Sequence, residues 1–117
     1  MYKSPKRLVN KIAKLALEKK AENIMSMDLR GIVTTCDFFV ICEGTSDVHV
    51  RAIADGILSG MVEAGEKAWH VEGYEVGRWI LVDYVNVVIH VFDKETRDYY
   101  QLERLWGDAK MQTYEDD

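Results

Sequence analysis

The segment Gly44-Thr45-Ser46 is the part of the sequence best suited to bind a phosphate group. It lies between a predicted strand and a predicted helix, where backbone N–H groups and the helix dipole favour an anion. A Walker loop also needs a lysine after its glycines, and a dinucleotide fingerprint needs three glycines at fixed spacing. The segment has neither feature. Capping of the next helix by Thr45, Ser46 or Asp47 is therefore the interpretation that we prefer.

The acidic residues of the predicted strands do not form the pair that two-metal nucleotide chemistry needs. A nucleotidyltransferase holds its metal ions with carboxylates that converge on the triphosphate, commonly two residues apart on one strand. Asp28, Glu72 and Asp83 instead stand singly in separate predicted strands. Two-metal catalysis is disfavoured. The alternative function kept open is a nucleotide- or phosphate-binding enzyme of nucleotidyltransferase type, with Thr45 and Ser46 on the phosphate and Asp28 or Asp83 on a metal.

The histidines do not indicate a hydrolase. Nucleophilic catalysis needs a histidine beside an activated serine or cysteine and an orienting acid. His49, His70 and His90 fall in three different predicted elements. A tight hairpin about residues 85 and 86 would place His90 opposite Leu81, with Asp83 as a diagonal neighbour on the same face. This arrangement predicts a structural hydrogen bond for His90.

The two cysteines suggest neither a disulfide nor a zinc site. Cys36 and Cys42 lie six residues apart, with no C-x-x-C pair and no histidine cluster nearby. We predict two reduced thiols, with Cys42 filling the core. We accordingly predict no catalytic residue, no cofactor and no metal.

Charge is divided unevenly along the chain, which has a formal net charge of −5. Residues 1–22 carry seven Lys/Arg and two Asp/Glu, whereas residues 23–117 carry eight and eighteen. An acidic body repels phosphate backbones and attracts a basic protein, so the bulk of the surface does not fit a nucleic-acid binder. The basic N-terminal segment is best interpreted as a solvated helix face, with marginal nucleic-acid contact as its functional alternative.

The hydrophobic pattern predicts one domain. The predicted elements are a helix over residues 5–21, strands at 24–29 and 37–42, a helix carrying the apolar residues of 50–62, strands at 68–72, 79–84 and 87–92, and a final helix that begins at residue 93 or 96 and continues to 106. This order predicts an α/β (α+β) domain over residues 1–117, with a mixed sheet of about five strands flanked by helices. Residues 108–117 are predicted to be a frayed tail. The sequence offers neither a long apolar run nor an apolar signal core, so we expect a cytoplasmic protein.

Strand alternation gives residues 79–84 one mixed face. Trp79, Leu81 and Asp83 share that face, and it combines a large aromatic, an aliphatic and an acid. Such a mixture fits a protein interface, where an aromatic anchor supplies buried area and an acid meets a basic group. Trp79 covering the core beneath the final helix is an equally good interpretation.

Six blocks of the sequence match one known pattern in order and spacing. They are residues 28–31 (DLRG), 36–46 (CDFFVICEGTS), 71–73 (VEG), 77–84 (GRWILVDY), 87–92 (VVIHVF) and 99–106 (YYQLERLW). On these blocks the chain resembles the ribosomal silencing factors of the Iojap family, over about residues 6–108. Residues 111–117 have no clear counterpart in the pattern.

The resemblance implies a regulator that is not an enzyme. Such a protein would bind large-subunit ribosomal protein fourteen on the intersubunit face, block joining of the small subunit and so repress translation when nutrients are short. The implied fold is nucleotidyltransferase-like with a mixed five-stranded sheet, and the implied assembly is a homodimer. Marginal contact of the first helix with ribosomal RNA is compatible with this role.

The resemblance also implies where the ribosomal protein is bound, namely at residues 79–84 and at the turn that follows Glu72. Trp79 is expected to be the apolar anchor, and Glu72 and Asp83 to face basic groups. Tyr74 and Tyr84 are expected to add contact area and hydroxyl hydrogen bonds. The predicted contact residues are Glu72, Tyr74, Trp79, Leu81, Asp83 and Tyr84.

Overall fold

The computed structural model describes residues 4–115. The helices are α1 (Pro5–Glu18), α2 (Asp47–Glu63) and α3 (Lys94–Tyr100), and a short 3-10 helix follows at Leu102–Arg104. The strands are β1 (Glu22–Asp28), β2 (Phe38–Gly44), β3 (His70–Glu72), β4 (Trp79–Asp83), β5 (Val87–Asp93) and β6 (Lys110–Tyr114). None of the helices within residues 4–115 combines the length and apolar composition that crossing a membrane requires.

The strands form one mixed sheet in the order β3-β4-β5-β2-β1-β6. The pair β2–β5 is parallel and the other four neighbouring pairs are antiparallel. This single compact α+β domain confirms the predicted fold class, with six strands in place of about five.

The sixth strand corrects the prediction of a frayed tail over residues 108–117. β6 pairs with β1 along its whole length, from Ile24 opposite Tyr114 to Asp28 opposite Lys110. The Tyr114 hydroxyl also lies 3.0 Å from the Ser26 hydroxyl. β6 is mostly exposed and polar, so it lacks the apolar alternation by which a strand is recognised in sequence. Residues 116 and 117 of the predicted tail lie outside the described part.

Helices α1 and α2 cover one face of the sheet. Ser4 caps α1 by accepting a hydrogen bond from the Arg7 amide (3.3 Å), and Pro5 occupies the first turn. The helices approach so closely that a Cβ atom at Gly60 would lie 2.3 Å from a Leu15 methyl carbon. The predicted apolar positions of α2 are buried except Val62, which is exposed, and Leu58, which is partly buried.

The other face of the sheet is covered only in part. α3 and the 3-10 helix close one end of it over a smaller cluster that contains Met27, Ile41, Phe92 and Leu102. The prediction of one final helix through residue 106 is wrong, because Gln101 adopts a left-handed backbone (φ 47°) that ends α3.

A buried ion pair fixes α3 on the sheet. Arg97 donates hydrogen bonds to the Asn23 carbonyl (2.6 Å) and to a Glu43 carboxylate oxygen (3.2 Å), and both charged side chains are nearly inaccessible. These contacts hold the short helix in one position on the sheet, and its Tyr100 packs against Trp79 of β4. The remaining part of this sheet face, over β4 and β5, stays open.

The β4–β5 hairpin has the predicted register. Asp83 pairs with Val88, and Leu81 pairs with His90. The turn is strained at Val85, a β-branched residue with φ 73°. The Asp83 carboxylate accepts a hydrogen bond from the Val85 amide at 2.6 Å and so holds this turn.

Candidate protein interface

The open face of the sheet presents the predicted strand residues together. Trp79, Leu81 and Asp83 are each partly exposed, whereas Ile80 and Val82 between them are fully buried against α1 and α2. The prediction from strand alternation is thereby confirmed. The three side chains lie where a second protein can reach them.

The Trp79 side chain packs against other aromatic rings and is also partly exposed on the open face. Its indole N–H donates to His90 Nδ1 at 3.0 Å, and its ring lies 4.9 Å from the Phe92 ring and 4.8 Å from the Tyr100 ring. His90 thus makes a structural hydrogen bond, as predicted, and its partner is Trp79. Of the two interpretations of Trp79 left open by the sequence, core packing is confirmed, because the ring packs against Phe92 and Tyr100. The interface interpretation stays a prediction, and the partial exposure of Trp79 is compatible with it.

The β3–β4–β5 pairing sets two rows of residues across the open face. Glu72 pairs with Leu81, which pairs with His90, and His70 pairs with Asp83 in the neighbouring row. The Glu72 carboxylate lies 2.7 Å from His70 Nε2, and both side chains are exposed. The acids predicted to face basic groups therefore border the same apolar surface.

Two grooves border this surface, of which Trp79 lines one and its hydrogen-bond partner His90 lines the other. The first has a volume of about 590 Å³ and is lined by Thr35, Cys36, Phe39, Trp69, Leu81, Asp83, Val85, Val88 and His90. The second has a volume of about 480 Å³ and is lined by Gly73, Val76, Arg78, Trp79, Glu95, Thr96, Tyr99 and Tyr100. Trp69 and Tyr99 are 73% and 79% exposed. Exposed aromatics at neighbouring apolar grooves are typical of a binding surface.

Trp69 is a candidate contact residue that the sequence reasoning missed. It precedes β3, and its amide donates to the Asp83 carbonyl at 2.8 Å, which places the indole beside the first groove. The available signal was a tryptophan next to a short strand. Its exposure depends on β3 being an edge strand, and the pattern of a three-residue strand does not reveal that position.

The two tyrosines of the predicted contact set lie elsewhere. The Tyr74 hydroxyl donates to an Asp55 carboxylate oxygen on α2 at 3.0 Å, an interaction that raises the pKa of the phenol. Tyr84 is 8% exposed within the main core, and this burial raises its pKa to about 12. Tyr74 thus lies beside α2, and the expectation that Tyr84 adds contact area is wrong because alternation turns its side chain toward the helices.

The residues proposed for phosphate binding are used in capping. The Ser46 hydroxyl accepts a hydrogen bond from the His49 amide at 3.1 Å, and His49 Nδ1 accepts one from the Thr45 amide at 2.9 Å. The capping interpretation is confirmed for this turn.

The two aspartates considered as metal ligands are far apart. Asp28 lies on β1 and Asp83 on β4, three strand spacings away, or about 14 Å at the usual spacing of strands. Asp28 is also paired in a fork with Arg30, with contacts of 2.9 and 2.7 Å that lower the pKa of its carboxyl. Within residues 4–115, no three His, Cys, Asp or Glu side chains converge as metal ligands would. No geometry here favours the nucleotidyltransferase alternative.

Both cysteines are free thiols and Cys42 is buried, as predicted, and Cys36 is buried as well. Cys42 is inaccessible, and burial raises its pKa to about 12. Cys36 lies at the first groove, where burial raises the pKa of its thiol as well. Neither thiol is set up as a nucleophile, because a reactive cysteine needs a lowered pKa.

Comparison with known proteins decides the family. The family model described as "Ribosomal silencing factor during starvation" matches residues 2–117. The chain belongs to this family. The ribosomal silencing factor of Bacillus subtilis is 47% identical over 102 residues, which cover 86% of each chain. A crystal structure of a Chromobacterium violaceum protein superposes with a TM-score of 0.88 at 28% identity, covering 97% of this chain and 95% of that one.

A more distant relative carries a different name. The mouse protein "Mitochondrial assembly of ribosomal large subunit protein 1" is 28% identical over 101 residues, which cover 84% of this chain and 44% of the mouse protein. The expected Iojap-family membership is confirmed, and Iojap proteins of plants also match. As a ribosomal silencing factor, the protein is a translation regulator that acts on the ribosome.

Proposed function

We propose that this silencing factor represses translation by binding large-subunit ribosomal protein fourteen on the intersubunit face, so that the small subunit cannot join. The observation that carries the proposal is the open β4 face. There Trp79 lines one apolar groove and bonds to His90 at the wall of the other, and Glu72 and Asp83 lie further along the same face. Aromatic anchors in a partly apolar patch are the usual energetic centre of a protein interface.

Charge supports a basic partner for this face. The chain has a net charge of −5, and residues 23–117 are more acidic than this total indicates, with eight Lys/Arg against eighteen Asp/Glu. Proteins that contact ribosomal RNA are commonly basic, since they must neutralise phosphates. Complementary charge would speed their encounter with this surface and fix its orientation.

The name of the mouse relative supports the choice of subunit, because it refers to the large ribosomal subunit. A protein of this size bound on the intersubunit face would act by steric occlusion. Occlusion requires no catalytic residue, so we propose that the factor acts without enzymatic activity. We propose further that repression matters most under nutrient limitation.

The proposed contact set follows the structure. Glu72, Trp79, Leu81 and Asp83 are kept from the sequence prediction, and Trp69 is added because it is exposed beside the first groove. Tyr74 would contribute only at the margin, where it lies against α2. Tyr84 is left out because it belongs to the core.

Three finer features complete the proposal. The exposed side chains of Lys6, Arg7 and Lys14 on α1 would make at most a marginal contact with ribosomal RNA, since α1 lies on the face opposite the grooves. We propose a cytoplasmic location, where the ribosomes of a bacterium are found. A homodimer is proposed on the family resemblance.

Sedimentation tests the proposal directly. The purified chain should co-sediment with isolated large subunits and not with small ones. Large subunits incubated first with the chain should then give a smaller peak of joined ribosomes when small subunits are added. Absence of co-sedimentation would exclude the proposed partner, and binding without loss of the joined peak would exclude occlusion.

A further inference from the structure

The open face contains a buried hydrogen-bond donor without a partner. His90 Nδ1 accepts from the Trp79 indole, and an indole N–H is only ever a donor. The ring proton of a neutral His90 must therefore be on Nε2. Within residues 4–115, Nε2 has no hydrogen-bond partner, and His90 is 4% exposed. Native proteins rarely leave a buried donor unpaired, so this one requires an explanation.

The neutral state of His90 follows from its surroundings. Burial lowers its pKa to about 4, and its ring lies 4.5 Å from the Phe39 ring in an edge-on contact. The row partner Leu81 is apolar, and Asp83 lies two pairs further along the strand, opposite Val88. At neutral pH the Nε2–H group is therefore an uncharged donor.

The His90 ring, which carries this donor, forms part of the wall of the first groove. The side chains around the ring, Phe39, Leu81 and Val88, are all only partly buried. Because Nε2 itself is inaccessible in the free chain, a ligand in the groove can bond to it only if at least one of these side chains turns on binding. Among the described residues that line the groove, Asp83 is the one carboxylate, and none is Lys or Arg.

We propose that the first groove binds a peptide segment of the partner in which an apolar side chain adjoins a Lys or Arg, and that His90 Nε2–H donates a hydrogen bond to a carbonyl oxygen of that segment. This inference rests on the proposed function and specifies what the partner presents. The apolar wall takes the apolar side chain, and Asp83 takes the basic group. The hydrogen-bond acceptor is a carbonyl because a carboxylate in the groove would be repelled by Asp83.

Nuclear magnetic resonance of the full chain with ¹⁵N-labelled histidine tests the donor directly. The probe is isolated large-subunit ribosomal protein fourteen. In the free chain the His90 proton should be on Nε2. At saturation with the ribosomal protein, that proton should move downfield and exchange more slowly with water, because it has gained an acceptor.

Three results would overturn the inference. One is a proton on Nδ1, and another is an Nε2–H signal that stays unchanged while the ribosomal protein binds. The third is a shift that depends on the concentration of the free chain alone, which would make a second copy the occupant. If the ribosomal protein does not bind the wild-type chain at all, the proposed function fails as well, so the two failures are distinguishable.

Two substitutions distinguish the effect of losing the Nε2–H donor from the effect of disturbing the Trp79–His90 contact. In His90→Asn, an amide oxygen can take the place of Nδ1 while the Nε2–H donor is lost, so Kd for the ribosomal protein should rise about tenfold. In His90→Gln, an amide N–H can take the place of the Nε2–H donor, so part of the affinity should return. The indole N–H signal of Trp79, which NMR of the ¹⁵N-tryptophan-labelled chain separates from those of Trp69 and Trp106, checks that the indole is still packed. Equal affinity of a folded His90→Asn chain and the wild type would contradict the assignment.

Discussion

The exposed indole of Trp69 allows binding to be tested almost independently of folding. Trp69 is 73% exposed, so Trp69→Ala removes little of the folded core. A surface change of this kind normally alters the free energy of unfolding by about 0.5 kcal/mol or less. For a domain of this size that is a shift in Tm of about 3 °C at most.

The effect on binding should be much larger. A tryptophan presents about 200 Å² of surface. If a partner covers the exposed 73% of it, the transfer free energy at about 25 cal/mol per Å² is near 3.5 kcal/mol. Ordering of the interface offsets part of this value, which leaves about 2 kcal/mol. Trp69→Ala should then raise Kd for isolated large subunits about thirtyfold.

The matched control is Val62→Ala. Val62 is also apolar and exposed (60%), but it lies on α2, on the opposite face of the sheet. Titration of large subunits with a fluorescently labelled chain would give both Kd values, and thermal unfolding would confirm that each variant is folded. The reasoning is refuted if folded Trp69→Ala binds as tightly as the wild type, or if Val62→Ala weakens binding to the same extent.

Three further predictions concern the packed parts of the same face. Trp79→Ala should weaken binding by about 2 kcal/mol or more and, unlike Trp69→Ala, should also lower Tm, because its indole packs on Tyr100 and bonds His90; undiminished binding of the folded variant would rule out the anchor. Glu43→Ala should lower the free energy of unfolding in urea by about 2 kcal/mol, because buried Arg97 would keep only the Asn23 carbonyl and the Glu103 carboxylate, 3.6 Å away, as partners, and a loss under 1 kcal/mol would count against this. Burial lowers the pKa of His90 from 6.5 to about 4, so as pH falls this histidine binds a proton in the unfolded chain before it does so in the folded one. The free energy of unfolding should therefore decline between pH 6.5 and 4, by up to about 3 kcal/mol. An NMR titration that gives folded His90 its ordinary pKa would disprove this prediction.

The elements that could be predicted from sequence are those in which the spacing of the apolar residues determines which face packs against the core. α2 has apolar residues on one stripe, with Gly65 (φ 86°) at its end, and both features were readable in advance. The β4–β5 register follows from a two-residue connection. In each case a local pattern leaves one arrangement that buries the apolar side chains.

The elements that could not be predicted depend on distant partners. β6 is mostly exposed and becomes a strand only because the edge of β1 is available for pairing. The end of α3 is set by a left-handed Gln101 and by the contacts of Arg97 with β1 and β2. The carry-over of Tyr84 failed for a different reason. The motif located a segment, whereas strand alternation already placed that side chain opposite Trp79.

The candidate interface exists because α3 is short. A helix that continued past Gln101 would extend the cover that α3 gives this sheet face, but the chain turns into a 3-10 helix after one residue. The aromatic surface that is left uncovered is held in position by two interactions, the buried Arg97–Glu43 ion pair and the Trp79–His90 hydrogen bond. A surface held in place in this way loses little conformational entropy on binding, so more of its contact energy becomes affinity. Loosening the ion pair should therefore reduce affinity even where every residue of the proposed contact set is unchanged.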